Sequence, residues 1–161
     1  MIKKEKTSGK VKLDRVDQNM IRLLQKDGRM SIVDIAKELG ISETTARTRL
    51  KQLIRREIIN VVAVSNPIKL GFEIIGNLKL TIDLKKKDHI LGKLKKNDKL
   101  NYIALTTGGT DLDVEFIARS LDEFKALIFN EIPNIEGVIS LDTSLIVEIV
   151  KDTWDFGTAW D

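Results

Sequence analysis

The spacing of apolar residues changes along the chain. Through residues 13–60 they recur three or four positions apart, in three groups that each indicate an amphipathic helix. Further along, Leu78, Leu80 and Ile82 alternate with polar residues, which is the pattern of a half-buried strand. This change of period predicts a helical domain followed by a domain that contains a β-sheet.

Polar and glycine residues mark where the three helices begin and end. Asp14, Ser31 and Ser42 each stand at an N-cap position, one residue before a helical pattern. Gly40 ends the second helix, because glycine adopts positive φ without steric cost. The second and third helices are therefore separated by a very short glycine-containing turn, which predicts a winged-helix-like helix-turn-helix.

The third predicted helix has two chemically different sides. Ala46, Leu50 and Leu53 fall on one side and are expected to pack inward. The opposite side carries hydroxyl and cationic groups, which suit base edges and phosphates in a major groove. The residues expected to contact DNA are Ser42, Glu43, Thr44, Thr45, Arg47, Thr48, Arg49, Lys51 and Arg55. The short side chains of Thr44 and Thr48 suit base edges, and the long ones of Arg47 and Lys51 suit bases or phosphates. Arg49, Arg55 and Arg56 flank this side and could hold the backbone. A helical bundle with an ordinary charged surface is the alternative.

The distribution of charge supports contact between the first domain and a polyanion. Residues 1–60 hold 15 Lys and Arg against 8 Asp and Glu, whereas residues 61–161 hold 12 against 16. The Lys-rich start, residues 1–12, has no apolar period and is predicted to be a flexible arm. We therefore expect double-stranded DNA to meet the N-terminal part of the chain only.

The second half repeats a strand-helix-strand pattern. Strands are predicted at 78–84, 100–106, 112–118 and 138–150, with helices at 88–97 and from Ser120 to Pro133. The order βαββαβ predicts a ferredoxin-like domain, so the fold class is α+β with four antiparallel strands and both helices on one face. The other face needs a cover, and a homodimer is the simplest one.

These patterns give a complete domain organisation. We predict a flexible basic arm at 1–12, a helix-turn-helix DNA-binding domain at 13–60, a β-rich linker at 61–71, a βαββαβ domain at 72–150, and a C-terminal tail at 151–161.

The turn between the two middle strands has the chemistry to bind a zwitterion. Gly108 and Gly109 leave backbone N–H groups open to a carboxylate, and Asp111 offers a negative charge to an ammonium group. Thr107 and Thr110 add hydroxyl groups. A hairpin turn that needs glycine for its dihedral angles explains the same residues, so the residues alone leave both explanations open.

The sequence contains few of the residue types that commonly carry out catalysis. The chain has no cysteine and one histidine, His89, so thiolate zinc sites and the usual nucleophile constellations cannot be assembled. Neither a P-loop nor a GxGxxG motif occurs. We expect no catalytic residues, no metal and no cofactor. No apolar run approaches the roughly 18 residues of a membrane helix, so a cytoplasmic protein without a membrane partner is expected.

Three segments together resemble the Lrp/AsnC (feast/famine) family of prokaryotic transcriptional regulators. They are LDRVDQNMIRLLQKDGRMS, ISETTARTRLKQLIRREII and the TTGGTD turn between the middle strands. The resemblance extends from about Leu13 to Val150. It implies a dimer formed through the C-terminal sheets, often assembling to octamers, and a small effector, usually an amino acid, bound near that turn.

The resemblance also implies which residues bind the effector. The family's Thr-Gly-x-x-Asp stretch matches Thr107, Gly108 and Asp111. The effector site is expected to comprise Thr107, Gly108, Gly109, Thr110, Asp111 and Leu112. Leu112 departs from the family, in which an aromatic residue often follows the aspartate. The tail, with Trp154, Phe156 and Trp160, has no counterpart from which a role can be assigned.

Two alternatives to an effector-responsive regulator remain at this point. One is an architectural protein that compacts DNA with little sequence preference and no effector. The other is an enzyme of the kind found among haem-pathway decarboxylases, some of which resemble this family in both domains. Such an enzyme is expected to need histidines and arginines in the second domain, where this chain has only His89 and Arg119.

Overall fold

The computed structural model describes residues 12–153 and 155–159, which form two units. One unit comprises the described residues up to 64 together with those after 150, and the other comprises residues 65–150. Most of the predicted basic arm, and both tryptophans of the tail, lie outside the described residues. Within the described part, no helix is long and apolar enough to cross a membrane.

The first unit contains three short helices that begin at the predicted caps. They are α1 (Arg15–Lys26), α2 (Ile32–Leu39) and α3 (Glu43–Arg55). The Asp14 carboxylate accepts the Asp17 N–H at 2.9 Å, and the Ser31 and Ser42 hydroxyls accept equivalent N–H groups at 3.1 and 3.2 Å. Each cap satisfies a donor that the first helical turn leaves unpaired.

Packing between these helices stabilises them, since helices of this length are marginal in isolation. Their shared core consists of Leu13, Met20, Ile21, Ile35, Ala36, Ala46 and Leu53. Gly40 adopts the predicted left-handed conformation, with φ of 65°. The next residue, Ile41, donates its N–H to the Ala36 carbonyl at 3.0 Å and packs against the core. The predicted helix-turn-helix is confirmed.

The second unit is a four-stranded antiparallel sheet with two helices. Its strands are β1 (Ile74–Ile82), β2 (Leu100–Leu105), β3 (Leu112–Ala118) and β4 (Val138–Leu145), in the order β2-β3-β1-β4. Helix α4 (Lys87–Leu94) joins β1 to β2, and α5 (Leu121–Ala126), which continues as a π-helical turn over Leu127–Glu131, joins β3 to β4. The α+β class and the βαββαβ order are confirmed.

One face of the sheet packs against the helices. Phe116 on β3 is fully buried and stacks on Phe124 of α5, with ring centroids 5.4 Å apart. Gly76 on β1 makes room for this ring, because a Cβ there would lie 2.8 Å from the Phe116 ring and 2.4 Å from the Ser144 carbonyl oxygen. On the other face, side chains such as Tyr102 are not buried.

Several boundaries differ from the predictions because strands need neighbours. The fourth strand ends at Leu145 rather than at 150. Ile146 still donates its N–H to the Ile75 carbonyl at 2.8 Å. Because β1 begins at Ile74, it offers the residues after 146 no further backbone groups to pair with. The predicted β-rich linker at 61–71 contains no strand, since β-branched composition alone supplies no hydrogen-bonding partner. The first helix of this domain ends at Leu94, not at 97.

The tail makes a contact that the sequence did not indicate. Gln25 at the end of α1 donates its side-chain N–H to the Gly157 carbonyl at 3.1 Å. Both residues belong to the unit of three helices. The described part of the tail is therefore associated with α1 and does not extend the last strand.

Candidate DNA interface and effector turn

The outward side of α3 carries one threonine and two basic side chains that have no hydrogen-bonding partner among the described residues. Thr44, Arg47 and Lys51 are exposed, and none has a side-chain hydrogen bond or ion pair within the part of the chain that the structure describes. Their spacing places them on one side of the helix, away from the buried Ala46 and Leu53. These groups are free to meet another molecule.

Other polar residues of α3 have local partners. The Ser42 hydroxyl lies 2.8 Å from the Thr45 hydroxyl in addition to capping the helix, and the Thr48 hydroxyl donates to the Thr44 carbonyl at 2.8 Å. Glu43 lies in the first turn, where a negative charge favours the helix dipole. A shallow open depression of about 350 Å³ runs along this surface, lined in part by Thr45 and Thr48.

Arg49 is an exception to the predicted DNA contacts. Its Nη1 donates to Asp14 Oδ2 at 2.6 Å and to Asp17 Oδ1 at 2.9 Å, so it links α3 to the start of α1. The Asp17 N–H and the Arg49 guanidinium lower the pKa of the Asp14 carboxyl below its usual value. This guanidinium is occupied within the unit, whereas Arg55 and Arg56 are exposed and have no such partner among the described residues.

Sequence reasoning missed the role of these two aspartates. Asp14 and Asp17 lie 35 and 32 positions before Arg49 in the chain, and no periodic pattern in the sequence indicates a contact over such a separation.

The turn after β2 is anchored to β1 by its own backbone. The Thr106 N–H donates to the Asp111 carbonyl at 2.9 Å, and the Thr106 hydroxyl donates to the Thr110 carbonyl at 3.0 Å. The Asp111 N–H in turn donates to the Leu80 carbonyl at 2.9 Å. Gly108 has φ of 122°, a conformation that favours glycine. The tip of the turn is thus an exposed loop on a fixed base.

The Asp111 carboxylate helps to fix this base. Its Oδ2 accepts the Ile82 N–H at 2.8 Å, at the end of β1 where the pairing with β4 is irregular. Its Oδ1 has no hydrogen-bond partner among the described residues. Thr107, Gly108 and Gly109 are exposed beside it. The amides, hydroxyls and carboxylate expected for a zwitterion are therefore close in the chain, and one carboxylate oxygen is available.

Leu112 does not share this exposure. Its side chain is fully buried, opposite Leu80 on β1 and Leu105 on β2. Side chains alternate between the two faces of a strand, and this one points to the helix-covered face with Val114 and Phe116. Leu112 consequently belongs to the core and not to a surface effector site.

Comparison with known families assigns both units. The AsnC-type helix-turn-helix domain matches residues 13–54, and the Lrp/AsnC ligand binding domain matches residues 78–155. A transcriptional regulator of Pyrococcus abyssi is 32% identical over 145 residues, which cover 89% of this chain and 92% of that protein. The chain belongs to the Lrp/AsnC family of transcriptional regulators. A second Lrp/AsnC relative, an HTH-type regulator of Methanocaldococcus jannaschii, is 34% identical over 141 residues, or 87% of this chain and 95% of its own.

Solved structures show the same fold at lower identity. A Neisseria meningitidis transcriptional regulator, crystallised as a complex with L-Met, has a TM-score of 0.81 and 20% identity, with 88% of this chain and 94% of that chain covered. Escherichia coli AsnC has a TM-score of 0.80 and 21% identity, with 89% and 98% covered.

The family gives the general activity of this chain. Its relatives are named transcriptional regulators, so this protein is a DNA-binding transcriptional regulator with a ligand-binding domain and not an enzyme. Among the described residues, no three His, Cys, Asp or Glu side chains lie together as a metal site would require.

Proposed function

We propose that this protein is a sequence-specific regulator whose assembly or DNA affinity responds to an amino acid. In this proposal α3 reads the major groove, the turn at 107–111 binds the effector, and the uncovered sheet face forms a homodimer that assembles to an octamer. The observation that carries the proposal is the row of unpartnered groups on α3, namely Thr44, Arg47 and Lys51. A two-fold dimer would present two such helices to successive major grooves of a pseudo-palindromic site.

Arg47 is the residue proposed to read a base edge. Its guanidinium has no partner among the described residues, and it lies in the first half of α3, the part of a recognition helix that meets bases. Arg47→Ala is expected to cost roughly 1–3 kcal/mol of operator affinity and to relax base preference. Lys26→Ala, a charge loss at the end of α1, is the matched control.

Fluorescence anisotropy with an operator selected from random duplexes measures both effects. Equal affinity losses for Arg47→Ala and Lys26→Ala would contradict the base-reading role. Uniform coating of DNA in footprints, with no preferred site for the unaltered protein, would contradict sequence-specific regulation and indicate the architectural alternative.

The effector site is proposed at Thr107, Gly108, Gly109, Thr110 and Asp111. The exposed amides suit a carboxylate, and the available Asp111 Oδ1 suits an ammonium group. A regulator of the same fold has been crystallised with L-Met, which supports an amino acid as the class of ligand. Bound effector would then alter DNA affinity through a coupling free energy, typically 1–3 kcal/mol.

Calorimetry against the twenty amino acids tests this site. Asp111→Asn is the preferred variant, because its side-chain oxygen can still accept the Ile82 N–H while the charge is lost. Asp111→Ala also removes that hydrogen bond, so its effect combines ligand binding with local structure. Asp122→Asn, a highly exposed carboxyl on α5, is the control. An amino acid that binds all these variants with unchanged affinity would place the pocket elsewhere.

The uncovered sheet face is proposed to form the dimer. Asp113 lies on this face, opposite Lys79 in the strand register, and its Oδ1 is buried with no hydrogen-bond partner among the described residues. Buried acceptors are normally satisfied, so a donor from a second copy is the expected partner. Sedimentation should find dimers or larger even-numbered species. A folded monomer at micromolar concentration that binds its operator tightly would refute this assembly.

A further inference from the structure

A second open cavity lies at the end of the sheet opposite the effector turn. The turn at 107–111 joins the end of β2 to the start of β3, whereas this cavity is bordered by Lys99, just before β2, and Arg119, just after β3. Its volume is about 480 Å³, within the range of small-molecule sites. Its lining includes four cations, Lys93, Lys96, Lys99 and Arg119, and two carboxylates, Asp98 and Glu123, beside the apolar Phe72 and Ile117. We name it the basic cavity, because the cations outnumber the carboxylates.

One wall of the basic cavity is rigidly built. Glu131, at the end of the π-helical turn, accepts a hydrogen bond from Lys99 Nζ at 2.5 Å and one from Asn97 Nδ2 at 2.8 Å. The ion pair with Lys99 lowers the pKa of the Glu131 carboxyl, so this carboxylate stays charged. The Asn97 side chain also accepts the Lys99 N–H at 3.1 Å. Lys99 and Asn97 are therefore held in place before any ligand arrives.

The other three cations have no internal partner. Glu123 accepts the Arg119 backbone N–H at 2.6 Å, which fixes the main chain. Within the described residues, however, the Arg119 guanidinium and the Lys93 and Lys96 ammonium groups form no hydrogen bond or ion pair. The cavity thus contains preordered polar groups on one side and available positive charge on the other.

The position of these charges is not explained by helix stability alone. A lysine in the last turn of α4 interacts favourably with the helix dipole, which explains the position of Lys93. Arg119 follows a strand and gains nothing from that dipole. Residues 61–161 are acidic as a whole, with 12 Lys and Arg against 16 Asp and Glu, so four cations against two carboxylates around one cavity are a local departure from the balance of this part of the chain.

We infer that the basic cavity binds a small organic anion with at least two negative charges. Lys93, Lys96 and Arg119 would pair with the anionic groups, and Phe72 and Ile117 would contact the apolar part of the ligand. Phosphate and paired carboxylates share this chemistry. Such a site is separate from the effector turn. It also differs in charge, because cations predominate in the basic cavity, whereas the ammonium group of a zwitterion at the turn would meet the Asp111 carboxylate.

Calorimetry on the full chain with three probes tests the inference. The probes are inorganic pyrophosphate, adenosine diphosphate and citrate, which distinguish phosphate from carboxylate and measure the contribution of an aromatic body. Arg119→Gln and Lys96→Gln should each weaken binding by about tenfold or more, because a hydrogen bond to a charged group contributes about 1.5–3 kcal/mol. Lys95→Gln is the matched control, since Lys95 is an exposed neighbour that does not line the cavity. The affinity of Lys95→Gln for the probes should differ from that of the unaltered protein by less than twofold.

Three results would overturn the inference. The first is that the unaltered protein binds none of the probes at millimolar concentration. The second is that Lys95→Gln weakens binding as much as Lys96→Gln, because the effect would then be general electrostatics. The third is that Arg119→Gln lowers affinity for duplex DNA as strongly as for the probes, which would assign the basic cavity to the DNA backbone. Circular dichroism of each variant checks that the fold is retained.

Discussion

Replacing Arg49 by Gln separates a structural role for this side chain from a DNA-contacting one. In the structure its guanidinium donates to carboxylate oxygens of Asp14 and Asp17, at 2.6 and 2.9 Å, and so joins α3 to the start of α1. The substitution removes the charge and both ion pairs, while the remaining amide is too short to span both aspartates. We therefore expect the unit of three helices to lose stability.

The exposure of the three side chains sets the size of this loss. The Arg49 and Asp14 side chains are 30% and 52% exposed, so their ion pair belongs to the class worth about 0.2–1 kcal/mol. The Asp17 side chain is only 14% exposed, which places its pair at the upper end of that range or slightly above. The sum is about 1–2 kcal/mol, or roughly 5–10 °C in the midpoint for a small domain.

Hydrogen exchange on the full chain measures this loss in peptides from α1 and α3. Arg55→Gln is the control, because Arg55 is exposed at the end of α3 and has no partner among the described residues. Arg49→Gln should lower protection without reducing the salt dependence of DNA binding, whereas Arg55→Gln should do the opposite, with a slope change of about 0.9. Unchanged protection together with a reduced slope for Arg49→Gln would make Arg49 a phosphate ligand and refute its helix-linking role.

Three further outcomes can be measured by urea or thermal denaturation. Leu112→Ala should destabilise the sheet unit by about 2–5 kcal/mol, since its side chain is fully buried, while Leu105→Ala at a 54% exposed position should cost much less. Gly76→Ala should cost about 1–3 kcal/mol or more, because the new Cβ would lie 2.4 Å from the Ser144 carbonyl oxygen. The lowered pKa of Glu131 means that its pairing stabilises the fold above the ordinary value of 4.5 and is lost as the pH falls through the lower folded value. Glu131→Gln should remove that part of the acid sensitivity.

Local signals allowed much of the first unit to be predicted. A cap and its N–H donor lie three residues apart, as Ser31 and Asp34 do, and the two residues are close whatever the rest of the chain does. Gly40 likewise indicates the left-handed backbone conformation that the end of α2 requires. The helix-turn-helix is built almost entirely from such short-range requirements, so its order and limits follow from the sequence.

Features that depend on distant neighbours were not predictable in the same way. The fourth strand stops where β1 stops pairing with it, and no residue of 146–150 carries that information. Leu112 was assigned to the effector site by its place next to Asp111, yet the alternation of β3 directs it to the core. The hydrogen bond from Gln25 to Gly157 joins α1 to the tail across 132 positions of the chain, and no periodic pattern indicates it.

The two explanations of the turn at 107–111 are compatible because different atoms serve them. The hairpin needs glycine at position 108, where φ is 122°, and it needs the Asp111 Oδ2 to accept the Ile82 N–H. A ligand would use the exposed amides of the tip and Oδ1 of the same carboxylate. Structure therefore holds one oxygen of Asp111 in place and orients the other. A bound ammonium group would meet a carboxylate that has already lost its rotational freedom, so less of the binding free energy is spent on ordering the site.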